Sequence, residues 1–255
     1  MPYLELDGKS AFYAGDIKRD GIPVLFCHGS GGAHHHWLCQ LKNLQGIVNP
    51  LAVDLPGHGR SEGSPADSIA IYRNWLHRFT KTLNLRPFVP AGHSMGGAIA
   101  LSYALQYPDE VRGIILVGSG GRLRVLPAFL KTLQEGSIPA VLTDYLYGPE
   151  APGELVKNGR KEVESAEASV YYADLSACDN FDIMEDLPRI SHPALMICGS
   201  EDRMTPLKYS RYLEEKLPRG QVSVIEGAGH MVMLEKPDEV NRAIINFVGQ
   251  LAEDH

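Results

Sequence analysis

Short apolar runs alternate with longer segments of helical periodicity along most of this chain, and this alternation restricts its fold more than any other feature. The runs are four or five residues long and end at turn-forming residues. Strands that are apolar throughout are buried on both faces, as in a mostly parallel sheet covered by helices. The predicted strands are residues 23–27, 50–54, 88–91, 114–117, 194–198 and 222–225, preceded by an antiparallel hairpin of residues 3–6 and 11–13.

Two segments between or after these strands show apolar residues at helical spacing, which predicts amphipathic helices lying on the sheet. They contain Tyr72, Trp75, Leu76, Phe79 and Leu83, and then Val240, Ile244, Phe247, Val248 and Leu251. From about residue 121 to 190 the alternation stops and only helical patches remain. We therefore predict one α/β core domain of residues 1–120 and 191–255, carrying a helical cap at residues 121–190.

Composition excludes several classes of protein. The 255 residues include 24 Lys and Arg against 31 Asp and Glu, a formal charge of −7, which repels nucleic acid. No apolar run approaches the roughly 18 residues of a membrane span, and the N-terminus lacks a basic region followed by an apolar stretch. Four dispersed cysteines do not indicate a disulfide framework. We expect a cytoplasmic protein with no membrane span.

The segment Gly92-His93-Ser94-Met95-Gly96 has the form G-x-S-x-G and lies between a predicted strand and a predicted helix. Glycines two residues before and after the serine permit a sharp, strained turn that exposes its hydroxyl. Ser94 is therefore the candidate nucleophile, and the Met95 N–H at the helix start is a candidate oxyanion donor. The alternative interpretation is a glycine-rich helix start with a capping serine.

A serine nucleophile needs a histidine base and a carboxylate that orients it. His230 and Asp202 each follow a predicted strand, at the sheet edge where the Ser94 turn lies. The order Ser94, Asp202, His230 is that of a nucleophile-elbow hydrolase. Glu201 is an alternative acid, but adjacent side chains point in different directions, which favours Asp202.

A second oxyanion donor is expected from the glycine-rich segment that follows the strand at residues 23–27. This segment reads His28-Gly29-Ser30-Gly31-Gly32, and the Ser30 N–H is the candidate. Glycine-rich loops also bind phosphate, but this one lacks the Gly-Lys-Ser/Thr ending of a P-loop and the spacing of a dinucleotide fingerprint.

Taken together, these motifs resemble the α/β-hydrolase fold superfamily, and within it the serine carboxylesterases and lipases. The matching pieces are HGSGG at 28–32, DLPGHGRS at 54–61, GHSMGG at 92–97, GSEDRMTP at 199–206 and GAGHMVMLEKP at 227–237. The resemblance implies a mostly parallel eight-stranded sheet flanked by helices, with a cap. It also implies a triad of Ser94, Asp202 and His230, with the Ser30 and Met95 amides as the oxyanion hole.

The expected activity is hydrolysis of small-molecule carboxylic esters with short to medium acyl chains, through an acyl-enzyme. Thioester, lactone, perhydrolysis or carbon–carbon bond chemistry, and a non-catalytic small-molecule receptor, are the alternatives. Phe129 and Met231 are candidate pocket residues. No cofactor and no metal site are expected, because three consecutive histidines, His34 to His36, point in different directions on a helix. The sequence does not indicate an oligomeric state.

Overall fold

The computed structural model describes residues 3–17 and 20–253, in which eight strands form one sheet. The strand order is β1-β2-β4-β3-β5-β6-β7-β8. The hairpin β1–β2 and the pair β2–β4 are antiparallel, and all other neighbours are parallel. The strands are β1 (Tyr3–Leu6), β2 (Lys9–Ala14), β3 (Pro23–Cys27), β4 (Asn49–Val53), β5 (Val89–His93), β6 (Ile114–Val117), β7 (Ala194–Gly199) and β8 (Gly220–Ile225). The predicted α/β-hydrolase fold is confirmed.

Strand ends differ from the sequence prediction by one or two residues, and the largest difference that affects the site is at β5. This strand continues through Gly92 and His93, beyond the predicted end at residue 91. Both residues are buried and pair with Leu116 and Val117 of β6. Strand pairing therefore extends to the residue immediately before Ser94.

Strand β3 shows why the central strands are apolar throughout. Leu25 and Cys27 point to one face of the sheet, whereas Val24 and Phe26 point to the other, and all four are buried. Removing apolar side chains from water on both faces is the main favourable contribution to such a sheet.

Helices cover both faces. On the first face, α2 (Ile69–Thr82) and α3 (Met95–Gln106) supply Tyr72, Leu76, Phe79 and Ile99. On the second, α1 (Leu38–Asn43) and α10 (Pro237–Glu253) supply Leu41, Val240, Ile244 and Phe247. Two further core helices, α8 (Leu207–Lys216) and α9 (Val232–Glu235), flank β8 in sequence. Within the described part of the chain, no helix is long and apolar enough to cross a membrane.

Four helices lie between β6 and β7 in the chain. They are α4 (Pro127–Gln134), α5 (Leu142–Leu146), α6 (Gly153–Ser165) and α7 (Ala168–Asp179), and we call them the cap. The cap has a small apolar cluster of its own, which includes Leu133, Leu142, Val163, Tyr171 and Leu175. The division of the chain at residues 121 and 190 stays a prediction.

Candidate active site

Ser94 lies in the turn between β5 and α3, with φ +51° and ψ −113°. A positive φ is unusual and strained for a residue with a side chain. The backbone around this turn is also packed too closely for any residue except glycine at positions 92 and 96. A Cβ on Gly92 would lie 2.1 Å from the Gly96 carbonyl carbon, and one on Gly96 would lie 2.4 Å from the Cys27 carbonyl oxygen.

Hydrogen bonds to the end of β6 and to the loop after it hold the backbone of this turn. The Ser94 N–H donates to the Val117 carbonyl at 2.9 Å, and the Ser119 hydroxyl donates to the Ser94 carbonyl at 2.8 Å. The Ser94 side chain makes no capping hydrogen bond to α3. The interpretation of Ser94 as a helix-capping serine therefore finds no support in the geometry.

His230 and Asp202 form a buried pair at the same edge of the sheet. His230 Nδ1 lies 2.9 Å from Asp202 Oδ2, and the two side chains are 2% and 0% exposed. The other Asp202 oxygen accepts the N–H groups of Met204 and Thr205, and the Thr205 hydroxyl donates to Oδ2. Glu201, the alternative acid, lies on the surface.

Asp202 is held in its charged form. Burial alone would raise the pKa of this carboxyl, but the His230 imidazole and the hydrogen bonds from Thr205 outweigh burial and lower the pKa below its ordinary value. A charged carboxylate accepts the Nδ1 proton of His230, which leaves a lone pair on Nε2. His230 therefore has the tautomer that a general base requires.

Ser94 and His230 line the same cavity. Among the described residues, the Ser94 hydroxyl and His230 Nε2 make no hydrogen bond to any protein group, so both are open to this space. Catalytic hydrogen bonds are often long in a free enzyme and shorten when substrate binds.

The loop of residues 28–32, which we call the oxyanion loop after its predicted role, runs beside Ser94. A Cβ on Gly29 would lie 3.3 Å from the Ser94 Cβ. The Gly29 carbonyl accepts hydrogen bonds from His28 Nδ1 at 2.8 Å and from the Gly32 N–H at 3.1 Å. This carbonyl belongs to the same peptide unit as the Ser30 N–H.

The Ser30 and Met95 N–H groups make no hydrogen bond to any group in the described part of the chain. Both N–H groups are therefore available to donate to a substrate oxygen, as the predicted oxyanion hole requires. The Ser30 hydroxyl itself lies 3.9 Å from the Met95 sulfur, which brings the two residues together.

The cavity above Ser94 is small and partly covered by the cap. Its volume is about 50 Å³. Its walls are mostly apolar, with a polar region at Tyr147, Tyr171, His36 and Glu162. The apolar lining residues are Leu142, Leu146, Val163, Leu175, Met204 and Met231.

The two predicted pocket residues have different positions. Met231 lines the cavity and is 5% exposed. Phe129 is half-buried on α4, where its ring packs edge-on against Tyr145 at 6.1 Å between centroids. Among the described residues that line the cavity, Phe129 is not included. The first helix of the cap thus packs on the cap itself, which apolar periodicity alone does not distinguish from a pocket wall.

Two of the three consecutive histidines point to the same group, whereas the sequence predicted that all three would point in different directions. His34 bonds to Asp54, but His35 Nε2 and His36 Nε2 both lie against Glu162 Oε1 of the cap, at 2.8 and 3.0 Å. The ligand atoms of His35, His36 and Glu162 lie within 4.8 Å of one another and could coordinate a divalent metal ion. Burial raises the pKa of Glu162, but the two histidines outweigh it and hold this pKa far below its ordinary value.

Asp174 of α7 is a buried charged residue that the sequence analysis did not find. Its carboxylate is fully buried and accepts hydrogen bonds from His58 Nε2 at 2.8 Å, the Tyr72 hydroxyl at 2.6 Å and the Gly31 N–H at 2.8 Å. His58 Nδ1 also lies 3.0 Å from the Pro56 carbonyl. Both ring nitrogens of His58 therefore donate, as they do in the imidazolium cation.

A second missed carboxylate supports the loop that carries His230. Glu235 lies next to this loop and accepts the Gly229 N–H at 3.0 Å and the Gly148 N–H of the cap at 2.9 Å. His93 supports the same loop, because its Nε2 donates to the His230 carbonyl at 3.0 Å. Both residues stand within motifs noted above, but their roles depend on long-range contacts.

The sheet, the turn at Ser94 and the cap over it define a protein of the α/β-hydrolase fold. Residues 24–243 match the model of the Alpha/beta hydrolase family, and the chain belongs to this family. A solved structure described as a thermophilic esterase is 34% identical, with a TM-score of 0.85, and the match covers 98% of this chain and 97% of that one.

Two curated relatives extend the comparison. Monoacylglycerol lipase ABHD6 of Mus musculus is 25% identical over 254 residues, covering 89% of this chain and 76% of that protein. The dihydrolipoyllysine-residue acetyltransferase component of the acetoin cleaving system of Pseudomonas putida is 27% identical over 245 residues. That match covers 89% of this chain, but the chain spans only 64% of that relative.

Substitution of Gly92 tests the tightness of the turn. Gly92→Ala forces a Cβ against the Gly96 backbone, so we expect a loss of about 1–3 kcal/mol in the free energy of unfolding. This clash should also displace Ser94, so we expect kcat to fall about 100-fold. Gly249→Ala is the matched control, because no atom lies within 4 Å of its added Cβ and alanine favours its helix. Equal stability of the two variants would contradict the steric argument.

The pair of His58 and Asp174 predicts a pH dependence of stability. Burial lowers the pKa of His58, but the hydrogen bond and charge of Asp174 outweigh it, so the net shift is upward from 6.5. A raised folded-state pKa stabilises the protein fully below the unfolded-state value, and this contribution is lost as the pH rises through the folded-state value.

We therefore expect the stability advantage of the wild type over His58→Gln to be largest near pH 6 and to shrink toward pH 9. Urea unfolding of both proteins across this range measures it. A constant difference at every pH would show that the charge of His58 plays no part.

Proposed function

We propose that this protein is a serine hydrolase that cleaves carboxylic esters with short to medium acyl chains. One observation carries the proposal: the buried Asp202–His230 pair, with a hydrogen bond of 2.9 Å, faces the same cavity as Ser94. This combination provides a nucleophile, a base and a group that orients the base.

In the proposed mechanism, His230 Nε2 takes the proton of the Ser94 hydroxyl as the Ser94 oxygen attacks the ester carbonyl. The charge that develops on the carbonyl oxygen is stabilised by the N–H groups of Ser30 and Met95. His230 then protonates the leaving alkoxide. Water, activated by the same imidazole, hydrolyses the acyl-enzyme and restores Ser94.

The choice of an ester substrate draws on the relatives. The solved structure with 34% identity is described as an esterase, and the mouse relative is a monoacylglycerol lipase. Both names describe hydrolysis at an ester carbonyl, which the arrangement of Ser94, Asp202 and His230 also suits.

Cavity size supports a limit on the acyl chain. The space above Ser94 is only about 50 Å³. Leu142, Leu146 and Val163 close the space with apolar side chains, so a short alkyl group suits it better than a charged one.

The nucleophile is tested by Ser94→Ala. We expect turnover of p-nitrophenyl butyrate to fall to the roughly 10³–10⁴-fold acceleration over water that remains without a nucleophile. A fluorophosphonate should label the wild type once, at Ser94, and should not label the variant, as intact-mass spectrometry and peptide mapping would show. Full activity in a folded Ser94→Ala protein would falsify the proposed mechanism.

The acyl limit is tested by kcat/KM across p-nitrophenyl acetate to palmitate. Each buried methylene contributes about 0.8 kcal/mol, so kcat/KM should rise with chain length and then fall steeply when the cap is reached. We expect the maximum among short to medium chains. A maximum at palmitate would contradict the proposed limit on the acyl chain. Faster turnover of acyl-CoAs or lactones in parallel assays would show that a thioester or a lactone, and not an ester, is the preferred substrate.

A further inference from the structure

Asp174 connects the cap to three separate parts of the core. It belongs to cap helix α7, whereas its hydrogen-bond donors belong to the oxyanion loop (Gly31), to the loop after β4 (His58) and to α2 (Tyr72). A buried carboxylate is costly unless it is paired and hydrogen-bonded. These three donors and the charge of His58 offset that cost, so the position of Asp174 is firmly determined.

The contact with Gly31 gives this network a catalytic consequence. Gly31 has φ +66°, and a Cβ there would lie 2.3 Å from the Tyr171 ring. Tyr171 and Asp174 are three residues apart on α7 and hence on the same side of the helix. Helix α7 therefore holds Gly31 from two directions, with a ring against its Cα and a carboxylate on its N–H.

Ser30, the residue next to Gly31, lies between two anchors. On one side, His28 Nδ1 and the Gly32 N–H bond to the Gly29 carbonyl, which fixes the peptide unit that carries the Ser30 N–H. On the other side, Asp174 bonds to the Gly31 N–H. The tautomer of His28 is fixed, because its Nε2 accepts the Leu55 N–H at 3.1 Å and its proton must therefore lie on Nδ1.

We propose that Asp174 is a positioning residue for the oxyanion hole, through which the cap fixes the Ser30 N–H for catalysis. This inference rests on the proposed function, because it assigns the geometry of the same site. Oxyanion donors act only at about 2.7–3.1 Å from the oxygen that becomes charged. Loss of one anchor leaves the Ser30 donor present but poorly placed, so its effect falls on the transition state and spares substrate binding.

The test compares Asp174→Leu with the wild type, because leucine is similar in size but has no oxygen to accept the Gly31 N–H. Stopped-flow acylation by p-nitrophenyl butyrate gives the acylation rate constant and the substrate dissociation constant separately. We expect the rate constant to fall 10–100-fold and the dissociation constant to change less than threefold. The rate of labelling by a fluorophosphonate should fall in parallel, since its phosphoryl oxygen occupies the same hole and needs no ester substrate.

Asp179→Leu is the matched control on the same helix. Asp179 accepts the Val125 N–H at 3.0 Å, and among the described residues it has no hydrogen bond to the oxyanion loop. We expect its acylation and labelling rates to stay within threefold of the wild type. If Asp174→Leu does not fold, Asp174→Leu combined with His58→Gln removes both buried charges, leaves no unpaired ion and is measured in its place.

Three results would overturn the inference: acylation within twofold of the wild type in a folded Asp174→Leu protein, an equal loss in Asp179→Leu, or a change confined to the dissociation constant. Failure of the proposed function has a different signature. In that case Ser94→Ala would keep its turnover, or the fluorophosphonate would label another residue of the wild type. Normal labelling at Ser94 with an unaffected Asp174→Leu variant would reject the inference alone.

Discussion

The strained turn at Ser94 is the constraint on which the rest of the structure depends. A non-glycine residue at φ +51° persists only where its surroundings over-determine it. Here strand β5 pairs with β6 up to His93, the Ser94 N–H bonds to β6, and glycines on both sides admit backbone at distances that any Cβ would forbid. The central sheet therefore exposes the hydroxyl, and the cap needs only to enclose the space above it.

Two buried His–Asp pairs share the same chemistry but have opposite consequences. His230 gives one ring nitrogen to Asp202, and its other nitrogen faces the cavity without a partner in the described chain. His58 gives one nitrogen to Asp174 and the other to the Pro56 carbonyl. The first arrangement keeps a lone pair available for a proton, whereas the second favours the cation. The partner of the second nitrogen, not the carboxylate, thus distinguishes a proposed base from a buried structural ion.

Sequence reasoning succeeded where the determinants are local. The strands follow from apolar runs, and the turn at Ser94 follows from two glycines at fixed spacing, because these patterns act within a few residues. Asp174 and Glu162 were missed because each forms its hydrogen bonds with core residues more than 100 positions away in the sequence. Phe129 shows the same limit, since helical periodicity marks an apolar face but does not identify what the face packs against.

Attachment of the cap to the core is polar where it approaches the site. Asp174 binds the oxyanion loop, Glu162 binds His35 and His36, and Glu235 binds both the His230 loop and Gly148 of the cap. Hydrogen bonds and ion pairs depend on geometry far more than apolar contacts do. Apolar contacts alone would let the cap slide over the sheet at little cost. These three carboxylates hold the cap in one position on the core. The proposed acyl-binding cavity and the proposed oxyanion hole therefore keep a fixed position relative to each other.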